Sequence, residues 1–206
     1  MIIKALQVGS LGTNCYLVGC PETKEGVVID PGDEGARIVA EIEKEGLKIK
    51  YIINTHGHAD HIGANKAVKE ATGAQLLLHS QEEAIYKNPS ASFADFFEQG
   101  EPPEPDRLLE DGDKLKVGEL TIEVLATPGH TPGGICLLVN GKHLFSGDTL
   151  FEGSIGRTDL PGGSYKQLMQ SIKEKLLPLP DETRVYPGHM QMTTIGKEKG
   201  KNPYLQ

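Results

Sequence analysis

The chain has 206 residues, of which 37% are hydrophobic and 24% charged, a composition typical of a globular protein. We expect residues 1–206 to form a single domain, because this length suffices for one sizeable core. The formal net charge of −8 argues against a nucleic-acid-binding surface, which needs clustered Lys and Arg. The longest apolar run, Ile135–Val139, is too short to cross a membrane.

The N-terminus and the cysteines indicate the compartment. The stretch from Met1 to Gly9 lacks the apolar region of a signal peptide, so we expect a cytoplasmic location. The three cysteines, Cys15, Cys20 and Cys136, cannot all pair with one another, and a reducing compartment suits them. They lie in or beside apolar strands, so we interpret them as small buried residues and not as nucleophiles.

The first half of the chain alternates strand and helix patterns. Glycines that follow the apolar periodicity mark the ends of two helices. The predicted elements are strands over Ile2–Val8, Asn14–Val18, Val27–Asp30, Lys50–Asn54 and Gln75–His79, and helices over Ala36–Glu45 and Ile62–Thr72. Such alternation predicts an α/β fold in which helices cover a sheet.

The second half begins with Ser90–Arg107, for which we predict a short helix and a Pro-rich connection. Such a segment is either a mobile lid or a surface excursion. A strand pair, a hairpin, a helix and a last strand follow. Their predicted bounds are strands over Leu115–Val117, Leu120–Ala126, Ile135–Val139, Lys142–Ser146 and Arg184–Tyr186, and a helix that begins at Ser164 with Gln167 in a capping box.

The dipeptide Asn140-Gly141 predicts a two-residue hairpin turn. If Val139 and Lys142 flank that turn, Gly134 lies opposite Gly147. The loops that carry His130 and Asp148 then leave the sheet at the same end.

Five of the seven histidines lie in short glycine-containing motifs. Each motif directly follows a predicted strand, where glycine lets the backbone turn and approach a bound ion. The motifs are His56-Gly57-His58-Ala59-Asp60-His61, Thr127–Gly133 with His130, Ser146–Thr149 with Asp148, and Tyr186–His189 with His189. His79 and His143 lie outside any motif, and we interpret both as structural.

Imidazole and carboxylate ligands suit Zn, Fe or Mn. His56 and His58 are two residues apart and point the same way in an extended backbone, whereas Asp60 and His61 cannot reach the same ion in that manner. We therefore predict two metal ions, which together hold one hydroxide. The first would bind His56, His58 and His130, the second would bind Asp60, His61 and His189, and Asp148 would bridge them.

The stretch Thr55–Gly63 and the three motifs that follow it in order resemble the metallo-β-lactamase fold superfamily over essentially the whole chain. The resemblance implies a four-layer αββα sandwich with the metals at one edge of the sheets. Gly147–Phe151, Ile155–Asp159 and the tail Thr193–Leu205 look like the short glyoxalase II-like hydrolases.

That resemblance implies hydrolysis of a thioester such as S-lactoylglutathione, the reaction of a hydroxyacylglutathione hydrolase. It makes Asp60 both a ligand and a catalytic residue that orients the hydroxide. It also suggests that Asp30 supports the histidines of the first metal. The expected partner is a small-molecule thioester, with no nucleic acid or membrane, and the protein is expected to be a monomer or homodimer.

Two features depart from glyoxalase II. Only 17 residues follow His189, so we expect no glutathione-binding helical domain. Met190-Gln191-Met192 stands where the family commonly has Gly-Pro after the last histidine. Met190 either narrows the site beside the second metal or packs inward.

Two other activities stay open within the superfamily. A persulfide dioxygenase would use one Fe(II) held by His56, His130 and Asp148. A lactonase or another ester hydrolase would use the same two-metal site. Arg157 either anchors a substrate carboxylate or forms an ion pair with Asp159.

Overall fold

The computed structural model describes residues 1–97 and 99–206, and the first of its two main sheets has six strands in sequence order. The first three strands pair antiparallel through short turns, and the remaining pairs are parallel because helices connect them. The strands are β1 (Ile2–Val8), β2 (Thr13–Gly19), β3 (Glu25–Ile29), β4 (Lys48–Ile53), β5 (Gln75–His79) and β6 (Arg107–Leu109).

The second six-stranded sheet has the order β14-β13-β10-β9-β8-β7, and a separate two-stranded ribbon pairs β11 with β12. In this six-stranded sheet all strand pairs are antiparallel except β10 with β13, and a helical connection joins these two strands. The strands are β7 (Lys114–Val117), β8 (Leu120–Ala126), β9 (Ile135–Val139), β10 (His143–Gly147), β11 (Leu150–Phe151), β12 (Ser154–Ile155), β13 (Arg184–Pro187) and β14 (Thr193–Thr194).

The helices are short, and none of those described is both long and apolar enough to cross a membrane. Two irregular turns accompany them, a 3-10 turn over Ser80–Glu82 and a π-helical turn over Ile172–Leu176. The helices are α1 (Gly35–Glu45), α2 (Ala59–Ile62), α3 (Asn65–Thr72), α4 (Glu83–Tyr86), α5 (Pro89–Ser92), α6 (Tyr165–Ser171) and α7 (Ile195–Lys201).

Three apolar clusters define four layers. The central cluster joins the inner faces of the two sheets and includes Ile29, Leu137 and Phe145. A second joins the first sheet to α1 and α3, for example through Ile38, and a third joins the second sheet to α6 through Leu168. The predicted αββα sandwich is therefore confirmed.

The predicted helix Ile62–Thr72 is instead two helices, α2 and α3, separated at Gly63 and Ala64. Ala64 N donates to Pro31 O at 2.9 Å, and a Cβ at Gly63 would lie 2.4 Å from Gly32 O. The chain before α1 thus binds and crowds the backbone here, so one continuous helix could not form.

The hairpin register differs from the prediction by one residue, because Val139 pairs with His143 and not with Lys142. Asn140 N donates to Thr121 O at 2.9 Å, and Asn140 Oδ1 accepts from Thr121 N at 2.9 Å. This tie to the neighbouring strand holds Asn140 in the loop and lengthens the loop to three residues. The loops with His130 and Asp148 nevertheless emerge at the same end, since Nε2 and Oδ2 lie 3.7 Å apart.

The helix start at Ser164 is confirmed, because Ser164 Oγ accepts from Gln167 N at 3.4 Å. Ser164 N donates instead to Gly129 O, at 2.8 Å, so the capping box is only half formed. The helix predicted within Ser90–Arg107 begins one residue earlier, at Pro89, since the Asn88 side chain caps it. The sequence pattern does not predict β6, β11, β12 or β14, each of which has only two or three residues.

Candidate metal centre

The loops at one edge of the two sheets bring together the seven side chains that the motifs singled out. Within each of three overlapping sets, the ligand atoms lie within 4.8 Å of one another. Two of them share no residue: the first set is His56 with His58 and His130, and the second set is Asp60 with His61 and His189. The remaining one, His56 with His61 and Asp148, overlaps both.

The first set joins the loop after β4 to the loop after β8. His58 Nδ1 lies 3.0 Å from His130 Nε2. Nε2 of both His56 and His58 is buried and has no hydrogen-bond partner among the residues that the structure describes. Burial lowers the pKa of His56 well below its usual value and that of His58 to about 3. These rings are therefore neutral and have lone pairs to donate.

The second set is charged. His189 Nε2 lies 3.1 Å from Asp60 Oδ2 and 3.3 Å from His61 Nε2. Burial would raise the pKa of Asp60, but His61, His189 and the Thr13 hydroxyl hold it well below its usual value. Burial likewise opposes a charge on His61, but the surrounding carboxylates raise its pKa to about 10. The carboxylates thus strongly favour a positive charge within the second set.

Asp148 lies between the two sets. Its Oδ1 is 3.5 Å from His61 Nε2, and its Oδ2 is 3.7 Å from both His130 Nε2 and His189 Nε2. Oδ1 is buried and makes no hydrogen bond within the described part of the chain. Gly188 permits this approach, since a Cβ there would lie 2.3 Å from Asp148 Oδ1.

Asp30 orients the second set directly and the first only through Thr55. Its Oδ2 accepts from His61 Nδ1 at 3.0 Å and from the Thr55 hydroxyl at 2.7 Å. Because that hydroxyl donates to Asp30, it accepts from His56 Nδ1 at 3.1 Å. The Nε2 atoms of His56 and His61 thus face the cluster. The expected support of the first metal's histidines is therefore indirect, through Thr55 to His56, and the histidine that Asp30 contacts directly is His61 of the second set.

Arg157 contributes its backbone. His130 Nδ1 donates to Arg157 O at 2.8 Å, which leaves the Nε2 lone pair of His130 toward the cluster. The guanidinium forms two hydrogen bonds with Asp159, Nε to Oδ1 at 2.9 Å and Nη2 to Oδ2 at 2.8 Å. Of the two predicted roles for the side chain, the structure therefore has the ion pair.

The donor set fits divalent metal ions. His56 Nε2 and Asp148 Oδ1 are buried acceptors without partners among the described residues, and such groups destabilise a fold unless a cation lies among them. Three orienting hydrogen bonds direct lone pairs to the same place, as is usual for histidine ligands. Imidazole and carboxylate are the ligands that Zn, Fe and Mn share.

Two phenylalanine side chains lie beside the cluster. The Phe93 ring lies 5.6 Å from the His58 ring, and the Phe151 ring lies 6.4 Å from the His189 ring. Gln99 Nε2 donates to Ala59 O at 3.1 Å. Phe93 and Gln99, both within the predicted excursion, thus contact the loop that carries His58 and Asp60.

Met190 follows neither of its predicted alternatives. Its backbone has a φ of 66°, its side chain is 55% exposed, and it lines a surface groove with Met1 and Arg184. Asn14 Nδ2 donates to Met190 O at 3.0 Å and so holds the carbonyl inward. The side chain therefore lies at the protein surface, in this groove.

The other predicted residues lie outside the cluster. His79 Nδ1 accepts from Gln81 N at 3.3 Å, and His143 Nδ1 lies 3.1 Å from the Tyr186 hydroxyl. All three cysteines are free and buried. Sequence reasoning missed the contributions of Thr13, Thr55, Phe93 and Glu82. Two of these residues had a signal in the sequence: Thr55 directly precedes His56, and Phe93 belongs to a phenylalanine-rich stretch whose aromatics predict packing.

Comparisons with known proteins agree with this geometry. Residues 8–189 match the family model of the metallo-beta-lactamase superfamily. The hydroxyacylglutathione hydrolase GloC of Haemophilus influenzae is 39% identical over 211 residues, covering 100% of this chain and 98% of GloC.

Two crystal structures are similar over nearly the whole chain. The B3 metallo-beta-lactamase BLEG-1 has a TM-score of 0.93 and 37% identity, covering 100% of both chains. TTHA1623 in a di-iron-bound form has a TM-score of 0.88 and 41% identity, covering 98% of this chain and 100% of the other.

Proposed function

We propose that this chain, which belongs to the metallo-beta-lactamase superfamily, hydrolyses thioesters such as S-lactoylglutathione with two divalent metal ions. The proposal rests on the position of Asp148 between two complete ligand sets. Its carboxylate oxygens lie 3.5 to 3.7 Å from Nε2 of His130 in the first set and from Nε2 of His61 and His189 in the second. Similarity to GloC, a hydroxyacylglutathione hydrolase, favours a thioester. We also propose that the protein is cytoplasmic and that it is a monomer or a homodimer. It would have no nucleic-acid or membrane partner.

The proposed ligand assignment follows the three sets. His56, His58 and His130 would hold the first metal, Asp60, His61 and His189 the second, and Asp148 would contact both. Zinc is our first choice because these ligands suit it. Iron is supported by the di-iron form of TTHA1623, and manganese is the remaining alternative.

Bound metals would supply an activated water and polarise the substrate carbonyl. Around them, the protein would orient and shield the reacting groups. Thr13 Oγ1 donates to Asp60 Oδ2 at 2.9 Å and so fixes the carboxylate that we assign to water orientation. Phe93 and Phe151 would exclude bulk water from the bound thioester. Because thiols have pKa values of about 8.5, the thiolate would leave without a general acid.

The test is a thioesterase assay on protein with a measured metal content. Purified protein, prepared without chelator or nickel resin, would be analysed for metals and assayed with S-lactoylglutathione and other thioesters. We expect two metals per chain and catalysed thiol release. A chain with two metals that hydrolyses none of the thioesters, but cleaves lactones, other esters or β-lactams, would exclude this substrate class.

A second candidate is a persulfide dioxygenase with one Fe(II). The observation that favours it is that His56, His130 and Asp148 form a two-histidine, one-carboxylate group on adjoining loops, with His130 Nε2 3.7 Å from Asp148 Oδ2. One iron per chain, together with oxygen uptake in the presence of glutathione persulfide, would support this activity over hydrolysis.

A further inference from the structure

Glu82 is a fully buried acidic residue that belongs to none of the three ligand sets. It ends the 3-10 turn that follows β5, and its exposed fraction is 0%. A buried carboxylate needs hydrogen-bond donors, because its charge loses the stabilisation of water. The identity of its donors therefore indicates why an acid is placed there.

Its two oxygens bind two different ligand loops. Gly57 N donates to Oε1 at 2.8 Å, and Gly133 N donates to Oε2 at 2.8 Å. Gly57 lies between His56 and His58, and Gly133 lies three residues after His130. One carboxylate thus joins the loop after β4, in the first sheet, to the loop after β8, in the second.

The backbones around Glu82 are also in close contact. A Cβ at Gly133 would lie 2.3 Å from Glu82 N, and a Cβ at Gly57 would lie 2.9 Å from Tyr86 N. Both loops therefore pack directly against the segment that begins at β5, and neither tolerates a side chain at its glycine. The close backbone contacts and the two hydrogen bonds to Glu82 together fix the distance between the loop after β4 and the loop after β8.

We propose that Glu82 is a positioning residue that sets the spacing between His58 Nδ1 and His130 Nε2, and thereby the affinity of the first ligand set for a divalent metal. Only an acid can accept from both amides, since a glutamine would present its NH₂ group to one of them. The inference concerns metal binding and does not depend on which bond the enzyme cleaves.

The test compares E82Q with E83Q. Glu83 is the matched control, because it is the next residue, is partly exposed and pairs with Lys87 at 3.1 Å. Zinc affinity would be measured by competition with a chromophoric chelator, and Co²⁺ binding by absorbance. For E82Q we expect one of two ions to bind roughly 10- to 100-fold more weakly, a loss typical of residues that orient ligands. E83Q should match the wild type.

Circular dichroism of each metal-free variant separates positioning from folding. A folded E82Q with wild-type zinc affinity at both sites would overturn the proposal, as would equal losses in E82Q and E83Q. If E82Q does not fold, E82D provides the same test, because its shorter side chain keeps the charge but reaches only one loop. The same weakening is expected for E82D, and wild-type affinity would again overturn the proposal.

Discussion

Asp30 Oδ2 accepts from His61 Nδ1 at 3.0 Å, and this contact determines which nitrogen of His61 faces the metal centre. Neither side chain is more than 2% exposed, so water does not compete for the bond. Through the Thr55 hydroxyl, the same oxygen also orients His56. One carboxylate therefore supports members of both ligand sets.

Asp30→Asn should weaken metal binding by roughly 10- to 100-fold and reduce activity in parallel. An asparagine retains one acceptor oxygen, so it cannot accept from Thr55 N, the Thr55 hydroxyl and His61 with the same geometry. The backbone should tolerate the change, because Asp30 has a φ of 51° and asparagine adopts that region readily. Chelator competition measures the effect, with exposed Asp33→Asn as the control. Unchanged affinity would contradict this role for Asp30.

Removal of either Asp148 or His130 should abolish hydrolysis and leave the fold largely intact. Both side chains belong to loops at the sheet edge and not to the three apolar clusters. Asp148→Ala and His130→Ala would be compared with the wild type by thiol release and far-ultraviolet circular dichroism. Wild-type activity in either variant would exclude that residue from the metal centre.

Metal removal should destabilise the protein. Ions that bind only the folded chain at about 1,000 times their dissociation constant stabilise it by about 4 kcal/mol. For a chain of this length, we expect chelation to lower the melting temperature by about 10 °C. Scanning calorimetry with and without a chelator measures the shift, and re-addition of zinc should reverse it. An unchanged melting temperature would argue against bound metals.

Glu82 should make stability depend on pH. Burial raises its pKa from 4.5 to about 7, although the amides of Gly57 and Gly133 oppose the shift. Because the folded-state pKa is the higher one, its stabilising contribution is complete below pH 4.5 and is lost as pH rises through about 7. The difference in unfolding free energy, wild type minus E82Q, should therefore decrease as the pH rises from 5 to 8. The decrease should be at most on the order of 3 kcal/mol. Denaturant titrations at each pH measure it, and a constant difference would contradict the shift.

Short-range patterns in the sequence determined much of this protein's secondary structure and the position of its candidate metal site. The spacing of His56, His58, Asp60 and His61 predicts a metal site because ligands within six residues must emerge from one loop. Likewise, Ser164 predicts a helix start, since its hydroxyl bonds an amide only three residues away. Both interactions depend on neighbours along the chain, and the alternation of strands and helices is read in the same local way.

Only the tertiary structure decided which distant groups meet. The break at Gly63 depends on the carbonyls of Pro31 and Gly32, and the hairpin register depends on Thr121 from a neighbouring strand. Glu82 joins Gly57 to Gly133, residues 25 and 51 positions away, and no local pattern marks it. Hydrogen bonds between remote segments form only when the packing of two sheets sets their separation, and that packing arises from the whole core.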